Sequence, residues 1–98
     1  MKINLETIDV QHTAALTEYV NEKVSKLDKY LDSIVAADVT LKKTQDSEDT
    51  HMAEVRLNVP GETLFASSTS ESAGKALGET VDALKRQIKK YKEKLSTY

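Results

Sequence analysis

Ninety-eight residues make one domain and leave no length for a separate catalytic module. A content of 39% hydrophobic and 31% charged residues belongs to a folded globular domain, and the absence of cysteine excludes disulfides and thiolate metal sites. The formal net charge of −2 hides an asymmetry: residues 1–84 carry 8 Lys/Arg against 15 Asp/Glu, whereas residues 85–98 carry 6 against 1. Such a split points to a local anion-binding surface.

Lys2 to Ile8 alternates, with Ile3 and Leu5 on one side and Lys2, Asn4 and Glu6 on the other, and predicts a half-buried strand. Thr13 is a fitting N-cap for a helix reaching about Leu31. Its apolar stripe is Leu16, Val20, Val24, Leu27 and Leu31, spaced by three or four residues. Residues 34–43 return to period two, with Ala37, Val39 and Leu41 facing one way. The polar, acidic stretch from Thr44 to Thr50 reads as a hairpin loop. A further strand, about His51 to Val59, buries Ala53, Val55, Leu57 and Val59. Pro60-Gly61 then supplies a turn, because Pro presets φ and Gly accepts a positive one.

A short strand follows, with Leu64, Ala66 and Ser68 inward and Thr63, Phe65 and Ser67 outward. Ser70 is the expected cap of a last helix running to about Leu95, with the stripe Ala73, Leu77, Val81, Leu84, Ile88, Tyr91 and Leu95. The fold class expected is α+β, in the order β-α-β-β-β-α: a four-stranded mixed sheet with two helices packed on one face. About 25 helical residues span roughly 37 Å, against about 27 Å for an eight-residue strand. The last turns should therefore overhang the sheet. The whole of 1–98 reads as a single domain. No apolar run approaches the ~20 residues of a membrane span, and the first residues do not form a signal peptide. The expected setting is the cytoplasm.

Residues suited to catalysis are scarce. His12 and His51 are the only histidines and share no metal-ligand spacing, and Gly61, Gly74 and Gly78 form no phosphate loop. The expectation is therefore no enzyme, no cofactor, no metal and no small-molecule substrate. The basic residues carry more information. At 100° per residue, Lys23, Lys26 and Lys29 share one flank of the first helix, beside Tyr19 and Tyr30. On the last helix Lys85, Lys89 and Lys92 form one ridge, and Arg86, Lys90 and Lys94 another.

One or two cations would satisfy the helix dipole; six within residues 85–94, opposed only by Glu93, exceed that need. Lys stems can follow a phosphate backbone, and the Arg86 guanidinium can take a phosphate bidentately. A solvated helix end, or a basic helix that serves a protein partner and binds no RNA, is the competing interpretation. Gly74 and Gly78 either admit a close neighbour or mark a weak first turn held by packing. Phe65 alone on the wet sheet face does not make the stacking platform of an RNA-recognition motif, so contact through the helices is expected.

Three segments go further: Tyr19-Val20-Asn21-Glu22-Lys23-Val24-Ser25-Lys26-Leu27-Asp28-Lys29-Tyr30, the turn Val59-Pro60-Gly61-Glu62-Thr63-Leu64-Phe65-Ala66, and Leu84-Lys85-Arg86-Gln87-Ile88-Lys89-Lys90-Tyr91-Lys92-Glu93-Lys94. In this order and spacing the chain resembles the short ribosome hibernation promoting factors and the related ribosome-associated inhibitor proteins, over nearly its whole length. The resemblance implies docking on the small ribosomal subunit, where mRNA and tRNAs would sit, with basic helices on ribosomal RNA and translation blocked in idle or stressed cells. By position it implies contacts from Lys23, Lys26, Lys29, Arg86 and Lys90; the charge pattern adds Lys85, Lys89 and Lys92. It also implies the short form of the family, a monomer when free. Two places depart from the family pattern. Ala83 stands where a further Lys is frequent, and Ser72-Ala73-Gly74 replaces an acidic-Met-Tyr opening of the last helix.

Overall fold

The computed structural model describes residues 1–44 and 50–96. Its elements are strand β1 (Lys2–Ile8), helix α1 (Ala14–Ser25), a 3-10 turn (Lys26–Lys29), strands β2 (Ala36–Lys43), β3 (His51–Val59) and β4 (Glu62–Ser70), and helix α2 (Ala73–Ser96). The strands lie in the order β1-β2-β3-β4. β1 runs parallel to β2, and the other two pairs are antiparallel, which makes the sheet mixed, as expected. The loop expected over Thr44–Thr50 is anchored by the Thr44 N–H on the Thr50 carbonyl at 2.7 Å. Its residues 45–49 lie outside the described residues.

Register explains how alternation becomes a core. Leu5 pairs with Val39, Val39 with Val55, and Val55 with Ala66, so one inward row crosses all four strands. A second row runs Ile3, Ala37, Leu57, Leu64. Val20, Val24 and Leu27 from the first helical segment, and Leu77, Leu84 and Ile88 from α2, complete one apolar cluster with these rows. Both helices therefore cover the same sheet face. Thr13 caps α1 as expected: its Oγ1 accepts the Leu16 N–H at 3.1 Å.

Four expectations need correction. The first helix is not α-helical to Leu31. At Ser25 the hydroxyl donates to the Glu22 carbonyl, a local bond that competes with helical pairing, and the chain tightens into the 3-10 turn. Leu27 O then accepts both Tyr30 N–H and Leu31 N–H, which keeps Leu31 buried beyond the helix end. The cap of α2 is Ser72, not Ser70. Ser72 Oγ accepts the Lys75 N–H at 3.2 Å, whereas Ser70 pairs with His51 and is buried at the end of β4. β4 accordingly spans nine residues and is not short. Leu95, placed by its spacing on the buried stripe, is 51% exposed. Tyr91 is the last buried residue of α2 among those described, so Leu95 overhangs the apolar cluster.

Two contacts moor α2. Tyr91, buried as its place on the stripe requires, donates its hydroxyl to the Pro60 carbonyl at 2.6 Å. Gln87 Nε2 donates to the Phe65 carbonyl at 2.7 Å, so the helix is tied to both β4 and the turn before it. Gly61 in that turn has φ +86°, as the Pro-Gly reading requires. Gly74 answers the question of close approach: a Cβ there would stand 3.2 Å from the Tyr19 hydroxyl, which donates to the Gly74 carbonyl. Gly78 has nothing within 4 Å and plays no such part.

Candidate nucleic-acid interface

The 3-10 turn places the first group of cations. With three residues per turn, i and i+3 eclipse, so Lys26 and Lys29 stand one above the other, and both are exposed. Lys23, on the last turn of α1, is half-buried with its Nζ 5.6 Å from the centre of the Tyr19 ring. On α2, Arg86, Lys89, Lys90 and Lys92 are exposed. Lys85 is half-buried; its Nζ lies 5.4 Å from the centre of the Tyr30 ring and 3.7 Å from Asp82. Among the described residues, no ion pair holds Lys26, Lys29, Arg86, Lys89, Lys90 or Lys92. Lys94 differs, since it bridges to Glu62 at 3.2 Å.

Tyr30 is where the two basic groups meet, a role that helical spacing, which sets it beside Lys23, Lys26 and Lys29, does not reveal. A groove of about 530 Å³ opens between Tyr30 and α2, lined by Lys85, Ile88, Lys89 and Lys92, with Glu93 also in its wall. An adjoining groove of about 310 Å³ brings Lys29 and Lys92 to the same space. Lys90 instead lines a separate hollow with Gln87, Tyr91 and Lys94. Arg86 stands on the outward face between these flanks, and Lys23 and Lys26 extend the surface back along the first helical segment.

This concentration is costly within the helix. Lys85–Lys89, Arg86–Lys90 and Lys90–Lys94 are like charges at i,i+4, each disfavoured by about 0.2–0.5 kcal/mol. An external polyanion would reverse that sign. The opposite sheet face is built differently. Asp38 accepts from Asn4 at 2.9 Å and from Asn58 at 3.5 Å, Lys42 pairs with Glu54, and Arg56 lies 5.9 Å from the centre of the Phe65 ring.

The histidines hydrogen-bond locally, His12 with Thr17 and His51 with Thr50. Among the described residues no group of three His, Cys, Asp or Glu is gathered to hold a metal, and no helix is long and apolar enough to cross a membrane.

A family model described as Sigma 54 modulation protein / S30EA ribosomal protein matches residues 3–96. The chain belongs to this family. A ribosome hibernation promoting factor of Escherichia coli strain K12 is 34% identical over the full length of both chains. A ribosome hibernation promotion factor of Deinococcus radiodurans is 38% identical over 86 residues, 86% of this chain, which spans only 45% of that longer protein. The N-terminal domain of Thermus thermophilus Protein Y superposes with a TM-score of 0.78 at 27% identity, covering 93% of this chain and 99% of that one. A ribosomal subunit interface protein from Coxiella burnetii shares the fold, with a TM-score of 0.81 at 22% identity over 95% of this chain and 99% of that one. The family expected from the three segments is the one found.

Proposed function

We propose that this S30EA-family chain binds the ribosome and keeps it idle, laying its basic helices on ribosomal RNA of the small subunit in the channel that mRNA and tRNAs would occupy. One observation carries the reading: Lys29, Lys85, Lys89 and Lys92 converge around Tyr30, and most cations of this surface have no counter-ion among the described residues. The names borne by its relatives, ribosome hibernation factors among them, agree with it. Binding would be electrostatic and shape-driven, from flexible Lys stems and one Arg on exposed helical faces. Occupying the channel is itself the inhibition, so the proposal requires no reaction, cofactor or small-molecule substrate. It places the protein in the cytoplasm with the ribosome, as a monomer when free.

The test is co-sedimentation with purified ribosomes and with separated subunits across a salt series, comparing wild type with Lys26→Glu plus Arg86→Glu. The proposal expects salt-sensitive binding to small subunits and whole ribosomes, abolished by the double charge reversal. Absence of wild-type binding at low salt would overturn it and favour the protein-partner reading. At Ala83, half-buried against the core, the family's frequent Lys is replaced by the neighbouring ridge of Lys85 and Lys89. Ala83→Lys should then raise ribosome affinity little; a large gain would show that the ridge does not substitute for it.

A further inference from the structure

We infer that the groove between Tyr30 and α2 is a stacking site for one unpaired nucleotide of RNA, with Tyr30 against the base and Lys85, Lys89 and Lys92 on its phosphates. The inference deepens the ribosomal RNA reading and rests on it. Phosphate contact alone needs only cations on an exposed face, which Arg86 and Lys90 already offer. This groove has more: the Tyr30 ring and the buried helix residue Ile88 line it together with three lysines, in about 530 Å³. That volume lies within the usual range of small-molecule sites, roughly 300–1,000 Å³.

A nucleotide has the matching division into a flat π-face and an anionic tail. Among the described residues Glu93 is the only acid lining the groove, against Lys85, Lys89 and Lys92, of which Lys85 is also paired with Asp82. The adjoining groove, where Lys29 meets Lys92, gives the next phosphate along the strand a path of the same sign.

Tyr30 is also prepared for the role. It is 44% exposed, so its ring is open to a partner, while its backbone is fixed and one lysine approaches the ring. The Lys85 ammonium sits 5.4 Å from the ring centre and is itself paired with Asp82 at 3.7 Å, and the Tyr30 N–H is held by Leu27 O at 3.0 Å. A residue whose backbone is already fixed loses less freedom on binding. The nucleotide must be unpaired, because a base inside a helix has both faces covered. Sequence preference should be weak, since every base presents a π-face.

Two arms test the site, each with the full chain and with thermal melts showing that the variants fold. In the first, Tyr30→Phe, Tyr30→Leu and Lys89→Gln are titrated with ribosomes across a salt series. Tyr30→Phe should match wild type, and Tyr30→Leu should weaken binding about 5- to 150-fold with the salt slope unchanged, the range of a single base–aromatic stack. Lys89→Gln should instead lower the slope, by roughly 0.7–0.9 if it loses one phosphate.

In the second arm, a single-stranded oligoribonucleotide with one 2-aminopurine is added to wild type and to Tyr30→Leu, with the duplex of that oligonucleotide and adenosine monophosphate as comparisons. Quenching by wild type alone, on the single strand alone, supports the site. Ribosome binding by Tyr30→Leu equal to wild type overturns it, as does equal quenching by Tyr30→Leu. Binding of adenosine monophosphate as tight as the oligonucleotide overturns the assignment to RNA. If wild type fails to bind ribosomes, the ribosomal reading falls, and the oligonucleotide arm still decides the groove.

Discussion

Gly61 and Gly78 are alike in the sequence and opposite in the structure. Gly61 turns the chain from β3 into β4 at φ +86°, a region where a Cβ is crowded by the backbone. Gly61→Ala should destabilise by about 1–2 kcal/mol. Gly78 lies inside α2 with nothing within 4 Å of a would-be Cβ. Gly78→Ala should stabilise by up to about 1 kcal/mol, the difference in helix propensity. Urea denaturation of the two variants reads both signs. Tyr91→Phe tests the mooring of the helix: removing the hydroxyl from the Pro60 carbonyl should cost about 1 kcal/mol in the same assay. The Pro-Gly turn was legible because it depends on two adjacent residues. The contrast between Gly74 and Gly78 was not, because it depends on where Tyr19, 55 residues away from Gly74, comes to rest.

At the level of elements, period was a good guide to face and a poor guide to length. The stripe of α2 includes Leu84 and Leu95 at equivalent helical positions, yet Leu84 is fully buried and Leu95 is half exposed. Leu84→Ala should cost 2–5 kcal/mol, since it leaves a cavity under the helix, with about 2–5 being the usual range. Leu95→Ala should change stability by less than about 0.5 kcal/mol. Guanidinium unfolding curves compare the pair, and equal losses would contradict the overhang. The first helix teaches a related lesson. Its stripe ran on to Leu31, but the switch to a 3-10 turn keeps Leu27 and Leu31 inside while changing the alignment of Lys26 and Lys29. Hydrophobic spacing of four tolerates either geometry at a helix end, so only the backbone hydrogen bonds on Leu27 O distinguish them.

The whole molecule reconciles a net charge of −2 with a polyanionic partner. Its smallest dimension is 18 Å, more than twice the Debye length of about 8 Å at physiological salt. Acids on the open sheet face are thus largely screened from a phosphate held at the opposite, helical face. The logarithm of the ribosome association constant should fall linearly with the logarithm of salt concentration, by about 0.7–0.9 per phosphate engaged. Neutralising Lys26 and Arg86 to Gln should reduce that slope by about 1.5 if each meets one phosphate. A slope near zero for wild type would indicate an apolar protein interface instead. The measurement is the co-sedimentation titration over roughly 50–200 mM salt.

Composition and periodicity alone determined the order of elements, the inward face of each strand, the turn at Gly61 and the basic end of the chain. These are properties of neighbours in sequence, which repeat every two or three to four residues and need no knowledge of distant contacts. Tertiary structure decided which cations are available. Lys85 and Lys94 are partly occupied by Tyr30 and Glu62, while Lys29 is carried toward Lys92. It also chose Ser72 over Ser70 as a cap, because the pairing of β4 with β3 continues to Ser70 before the helix can begin. The groove at Tyr30 exists only because two helical segments, far apart in the chain, settle on the same face of one sheet. Packing across a shared core, not local spacing, brings residue 30 to residues 85–92.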